Sequence, residues 1–231
     1  MSAAGAAPLL AVDTASPVGS VAIGTADRIL SEVTLGVGTR HSEALMPAVR
    51  FALEQAGIGT DELGGVVVGA GPGSFTGVRI AAATAKGLAR GLRVPLHAYS
   101  SLLALAATVA QDGRPVCALL DARRGEVYAA CYRFVGFGRP QTLLQPVARD
   151  VAGVVTDVAA LRPVFAGEGA LRYRDRIGDA GAIAPAHLAF PRAAALLWLA
   201  AADPASGRVD SPARWSPDYL RASGAERTVR S

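Results

Sequence analysis

The sequence predicts an α/β protein made of two related halves with mixed sheets, and three observations predict it. Short apolar runs of strand length alternate with longer segments whose apolar residues recur at helical spacing. An apolar strand, an aspartate, a tight turn and an alternating strand occur twice, as "LLAVDTASPVGSVAIG" from Leu9 and as "CALLDARRGEVYAACY" from Cys117. The composition, 51% hydrophobic and 18% charged over 231 residues, describes a core-forming chain and excludes disorder.

In the first half, "PLLAVDTA" reads as a strand ending at Asp13, "SVAIGT" as a second strand and "RILSEVTL" as a third, giving a meander. His41 opens "RHSEALMPAVRFALEQAG", where Leu45, Val49, Ala52, Leu53 and Ala56 share a helical face and Gly57 supplies the stop. Pro47 is expected near the first turn, where proline is tolerated. His41, with Ser42 and Glu43, is expected at the helix N-terminus, Ser42 or Glu43 satisfying free amides. "LGGVVVGAG" reads as a short buried strand, and a second helix is expected from about Thr76 to Leu92.

The second half repeats the strand, aspartate and turn around Asp121. "RPVFAGEGALRYRD" then reads as a strand entering a Gly-x-Gly turn and a helix, "FPRAAALLWLAA" as an apolar helix, and "RWSPDYLRAS" as an extended or looped tail. The polar "QDGRP", residues 111–115, marks the boundary, dividing the chain into 1–112 and 113–231. The C-terminal helix is expected to pack back towards the first half.

Charge and cysteine usage narrow the classes. Net charge is +4 and the basic residues are arginines apart from Lys86, scattered rather than clustered, which is weak support for nucleic-acid contact. "MSAAGAAPLL" has no basic leader region, and no run approaches the ~18 apolar residues of a membrane span, so a cytoplasmic protein is expected. Cys117 and Cys131 stand outside any C-x-x-C pattern and read as small core residues. His41, His97 and His187 form no metal-gripping pair, and Ser74 lacks the Gly-x-Ser-x-Gly elbow.

The glycine-rich "GAGPGSFTGVRI", residues 69–80, is the most distinctive stretch. Thr76 stands where a dinucleotide fingerprint needs its third glycine, and Val78 and Arg79 follow Gly77 where a P-loop needs lysine and serine or threonine. Two readings stay open: an anion site at a helix N-terminus, or glycines that permit close packing. In the helix that follows, Arg79, Lys86 and Arg90 share one face and small residues cover most of the rest. That arc serves either a buried central helix or a partner. Asp13 and Asp121 either hold Mg²⁺ or water near a nucleotide or cap their own turns.

"LLAVDTASPVGSVAIG", "RHSEALMP", "GAGPGSFTGVRIAAATAKGLARG", "LLDARRGEVYAACY" and "SPDYLRAS" together resemble the TsaB (YeaZ) family of bacterial tRNA threonylcarbamoyladenosine (t6A) biosynthesis proteins, over essentially the whole chain. The resemblance implies the actin-like, Hsp70-like ATPase fold of the ribonuclease H-like class. It places Asp13 and Thr14 in the first phosphate hairpin, Asp121 to Gly125 in the second, and Gly167 to Gly169 beside adenosine. Two departures from the active members of this fold follow. "DTAS" replaces the Asp-x-Gly-Thr hairpin of sugar and acyl kinases, and "HAYSSLLALA" lacks the metal-binding histidine pair of the catalytic paralogue TsaD.

The resemblance therefore implies a non-catalytic subunit that binds TsaD and acts with the ATPase TsaE, meeting tRNA through the complex. It implies no resident cofactor, with ATP or ADP only at the complex interface and metal only on the partner. The implied interface lies on the helices from His41 and Thr76, with His41, Glu43, Leu45, Met46, Val49, Arg79, Ala82, Ala83, Lys86 and Arg90 as candidates, and a homodimer is expected through the same helices when the partner is absent. The competing expectation is a stand-alone actin-fold kinase or ATPase using Asp13 and Asp121 with Mg-ATP; a third is direct tRNA binding through arginines.

Overall fold

The computed structural model describes residues 6–220 except 26, 37, 39, 112 and 137–139. Residues 1–5 and the end of the chain from 221, which includes the close of "SPDYLRAS", lie outside the described residues. The first sheet comprises β1 (Leu9–Asp13), β2 (Gly19–Gly24), β3 (Ile29–Leu35), β4 (Gly65–Gly69) and β5 (Leu96–Tyr99), with α1 (His41–Ala56) and α2 (Phe75–Leu92) as crossovers. The second comprises β6 (Val116–Arg123), β7 (Glu126–Arg133), β8 (Gln141–Asp150), β9 (Val164–Ala166) and β10 (Ala182–Ile183). The remaining helices are α3 (Ser101–Val109), α4 (Val151–Val158), α5 (Glu168–Arg172), α6 (Arg174–Ile177), α7 (Ala193–Ala202) and α8 (Pro204–Gly207).

Strand order establishes the duplication. The first sheet runs β3-β2-β1-β4-β5 and the second, from its opposite edge, β8-β7-β6-β9-β10. In each, a three-strand antiparallel meander is followed by strands added parallel to its first member. This is the two-halved α/β class that the sequence predicts.

Strand parity sorts the side chains into layers. Leu10, Val12, Val21, Ile23, Val66 and Val68 face α1 and α2, while Ala11, Ala22 and Val67 face the opposite layer of α3 and α7. Leu102 and Leu105 of α3 also meet Val116, Ala118 and Leu120 of the second sheet. The far face of that sheet, with Cys117, Leu119 and Val127, is covered by Val151, Val154 and Val158 of α4. Thus α3 and α7 lie between the sheets, and α7, entered from the second half, packs on β1, β2 and β4. Cys117 and Cys131 face each other in register, buried.

A polar clamp fixes the entry of α7. Glu32 on edge strand β3 accepts Arg192 Nε–H at 3.2 Å, a second bond from Arg192 Nη2, and the Ala194 N–H at 3.4 Å. The Ser20 hydroxyl accepts the Ala193 N–H at 2.9 Å. A sheet edge thereby satisfies helix-start amides that would otherwise lack acceptors.

Helix α2 runs from Phe75, one residue from the expected start, to Leu92, with Ser74 as N-cap accepting the Gly77 N–H. Local expectations are corrected in two places. Pro47 is the seventh residue of α1 rather than part of its first turn, on the exposed side of the helix. Neither Ser42 nor Glu43 caps α1: its N-cap is Arg40 without a side-chain bond.

Candidate functional site

A cavity of about 320 Å³ opens between the halves. It is lined by the β1–β2 turn (Ala15, Ser16), the starts of α1 and α2 (His41, Thr76, Gly77), and Asp121, Arg123 and Glu168 of the second half. This is where the resemblance places phosphate, and the residues do not fit Mg-ATP there. Asp13 does not line the cavity. Its carboxylate is fully buried, Oδ1 accepting the Ala15 N–H at 2.8 Å and Oδ2 the Ser101 hydroxyl at 2.6 Å. Burial pushes Asp13 up to about 6 against the lowering effect of these two bonds.

Thr14 is equally committed, its hydroxyl donating to the Gly77 carbonyl at 2.7 Å. The Ser74 N–H donates to the Ala15 carbonyl at 2.7 Å. A Cβ on Gly73 or Gly77 would overlap the carbonyl oxygens of Ala15 and Thr14 respectively. The glycines of residues 69–80 therefore let the chain's own hairpin sit on the start of α2, which decides between the two readings in favour of close packing.

The second-half candidates separate likewise. Asp121 accepts Arg172 Nη1–H at 2.9 Å and the Tyr173 hydroxyl at 3.0 Å. Gly125 closes a turn in which Arg123, Arg124 and Gly125 all hold positive φ. Gly167, at φ +111°, and Gly169 press on the backbone of Leu119, so their lack of a side chain is consumed by packing on β6. Burial, with a smaller push from the Asp121 carboxylate, raises Glu168 to about 7. Asp121 lines the cavity and Asp13 does not, and the described residues hold no group of three or more His, Cys, Asp or Glu placed for a metal.

The outer face of α1 and α2 divides the interface candidates. His41, Leu45, Val49 and Ala82 are buried within the chain, so these four are corrected as surface positions: helical periodicity turns Leu45 and Val49 towards the first sheet, while His41 and Ala82 are only 3% and 4% exposed. His41 also bonds through Nε2 to the Ser16 carbonyl at 3.0 Å, and burial holds its imidazole below the usual histidine range. Glu43, Met46, Arg79, Ala83 and Arg90 are exposed and Lys86 is half-buried. Phe51 of α1, 52% exposed, was not a candidate. Its signal was present, because Phe51 falls outside the Leu45–Val49–Ala52–Leu53 stripe. Ser101, the partner of Asp13, had no such signal across 88 residues of separation.

The sequence profile of the TsaD family, tRNA N6-adenosine threonylcarbamoyltransferase, matches residues 32–162. The tRNA threonylcarbamoyladenosine biosynthesis protein TsaB of Bacillus subtilis (strain 168) is 33% identical over 231 residues, covering 94% of this chain and 96% of that one. The chain belongs to the TsaB (YeaZ) family. TsaB of Escherichia coli (strain K12) is 36% identical over 127 residues, 54% of each chain. YeaZ from Pseudomonas aeruginosa superposes with a TM-score of 0.82 at 32% identity, covering 93% of this chain and all of that one. The TsaB relatives carry t6A biosynthesis in their names, and the two-sheet α/β fold is shared with YeaZ. No helix among the described residues is long and apolar enough to cross a membrane.

Proposed function

We propose that this chain is a non-catalytic subunit of the t6A synthesis machinery, docking on the catalytic paralogue TsaD and acting with the ATPase TsaE in the cytoplasm. One observation carries the reading: the turn that would cradle phosphate is filled by the chain's own Thr14 and Ala15 carbonyls. A nucleotide phosphate would have to displace the Ser74–Ala15 backbone bond and the Thr14–Gly77 bond, which join the β1–β2 turn to the start of α2. The chemistry then belongs to the partner, and this chain contributes a surface.

The exposed outer face of α1 and α2 supports the docking side of the proposal. Met46 and Phe51 are large apolar side chains left 43% and 52% exposed on α1, and Ala83 leaves room for close approach on α2. Without TsaD the same face joins two copies of this chain. The test is co-elution of the purified chain with TsaD and TsaE on a sizing column, beside an Mg-ATPase assay on the chain alone. Ala83→Trp is expected to abolish both the complex and the homodimer while leaving the melting temperature unchanged. Ala82→Trp would not serve, because Ala82 is 4% exposed and a bulky ring there disrupts the core. An unchanged complex, or turnover that depends on Asp121, would refute the proposal.

A further inference from the structure

The second sheet carries a pair of side chains that neither the cleft nor the partner face uses. Cys117 of β6 and Cys131 of β7 are the chain's two cysteines, and they stand opposite each other in register. Hydrogen bonding on the other side of β6 fixes which kind of pair they form. The Val164 N–H donates to the Pro115 carbonyl at 2.8 Å, so the backbone groups of Pro115, and two residues further on those of Cys117, point to β9 rather than to β7. Cys117 and Cys131 are therefore a non-hydrogen-bonded cross-strand pair, the kind in which Cα atoms approach to about 4.5 Å and side chains come closest. That separation lies within the roughly 4.4–6.8 Å that a disulfide spans.

The two sulfurs are not equivalent. A hydrogen bond between them raises the Cys117 thiol well above its usual range, with burial adding to the rise, and lowers Cys131 against the opposing push of burial. Arg133, two residues along the same face of β7, lowers Cys131 further through its positive charge. Its Nε is buried without a hydrogen-bond partner. A thiolate held beside a cation is the reactive form of cysteine. Both cysteines lie under Val151, Val154 and Val158 of α4, yet the β7–β8 pairing is irregular on both sides of Cys131. A broken ladder is where a sheet edge opens locally, and an opening at β8 admits a small oxidant to a site that the core closes to larger reagents.

We propose that Cys131 and Cys117 form a peroxide-responsive dithiol, in which Cys131 is oxidised first and Cys117 resolves it into a reversible disulfide. The Cys131 thiolate attacks one oxygen of hydrogen peroxide; the S–O bond forms, the O–O bond breaks, and the departing hydroxide takes up the proton that Cys131 released. The Cys117 sulfur then attacks the sulfenic sulfur; the S–S bond forms, the S–O bond breaks, and the second hydroxide leaves as water with the Cys117 proton. Two thiols are oxidised by two electrons and one peroxide is reduced to two waters. The crosslink ties β6 to β7 below the turn that carries Asp121 and Arg123 to the cleft, and a thiol reductant reopens it.

The experiment treats the reduced full chain, folded, with hydrogen peroxide, then unfolds it and counts thiols by alkylation and intact mass. The expected product is a monomer with both thiols lost and a mass lower by two hydrogens, its Cys117 and Cys131 peptides linked, from which dithiothreitol recovers both thiols. Cys117→Ser should leave Cys131 as a sulfenic acid that dimedone captures, and Cys131→Ser should leave Cys117 unreactive. Arg133→Gln should slow disulfide formation several-fold and give the same product. The oxidised chain should melt several degrees above the reduced one, because its unfolded state carries a closed loop. Two thiols still free after peroxide, a disulfide found only between chains, or sulfonic acids in place of the crosslink would each overturn the proposal. Dimedone capture at Cys117 in Cys131→Ser would overturn the order of the steps, an unchanged rate in Arg133→Gln the part given to that cation, and an unchanged melting temperature the tying of the hairpin.

Discussion

Replacing Asp13 by asparagine tests the claim that this carboxylate is structural. Its folded-state pKa is raised from 3.8 to about 6 by burial. The folded protein therefore holds a proton that the unfolded chain has released, so this group's contribution to stability rises as pH falls through 6 and is complete below the unfolded value. Between about pH 7.5 and about pH 5 the gain is about 1.4 kcal/mol. Asparagine keeps an oxygen for the Ala15 N–H and presents an amide to the Ser101 hydroxyl, without a titrating proton. Urea unfolding of both proteins at the two pH values is the assay. Wild-type stability should increase by about 1.4 kcal/mol more than that of Asp13→Asn on acidification. Glu168 adds a gain of the same sign in both proteins, and His41 and His97, whose pKa values are lowered by burial, a loss, so the difference isolates residue 13. Parallel pH profiles would refute a buried, proton-holding Asp13 and reopen a solvent-facing role for it.

Glu32→Ala removes the clamp on α7 and should cost about 2 kcal/mol in urea unfolding, since charge-assisted bonds to Arg192 and the Ala194 amide are lost together; a change within error would place the anchoring of α7 in its apolar contacts alone. Gly77→Ala should destabilise by about 3 kcal/mol through overlap with the Thr14 carbonyl, measured by thermal unfolding. Gly87→Ala, where an added Cβ meets nothing within 4 Å, should instead stabilise by about 0.5–1 kcal/mol in the same assay.

Much of the first half was legible because its signals are local. The meander, the stripe from Leu45 to Leu53 and the stop at Gly57 each follow from spacing within one element, and all three stand in the structure. The site was less legible, because its decisive contacts join residues far apart. Ser101 reaches Asp13 across 88 residues, and Tyr219 reaches Arg79 across 140. Residue type alone left Asp13 between metal ligand and turn cap; the hydroxyl of a later helix decides that its second oxygen is occupied. Four of the interface candidates, His41, Leu45, Val49 and Ala82, are buried rather than on the surface for a related reason. Membership of a helix was inferred correctly, but which of its faces the sheet takes requires sorting each position by angle, and Ala82 and Ala83 differ by a single step around α2.

The two halves share one topology, and their equivalent aspartates have opposite surroundings. Asp13 ends β1 inside the protein, covered by Ser101 and by Gly69, where a Cβ would overlap its carboxylate. Asp121, at the matching point of β6, stays at the cleft rim, held by Arg172 and Tyr173 of the segment after β9. A two-aspartate metal site needs both carboxylates to face the cleft. The difference arises after each strand: the β1–β2 turn is pressed under the start of α2 by Gly73 and Gly77, whereas the β6–β7 turn, with three residues at positive φ, stands out beside the cavity. A duplicated frame thus supplies two symmetric positions, and the glycines that press only the first turn inward make them chemically unequal. Building a kinase-like cleft would require freeing the Ala15 and Thr14 carbonyls from the start of α2 as well as adding the missing hairpin glycine, and these contacts join the β1–β2 turn to that helix.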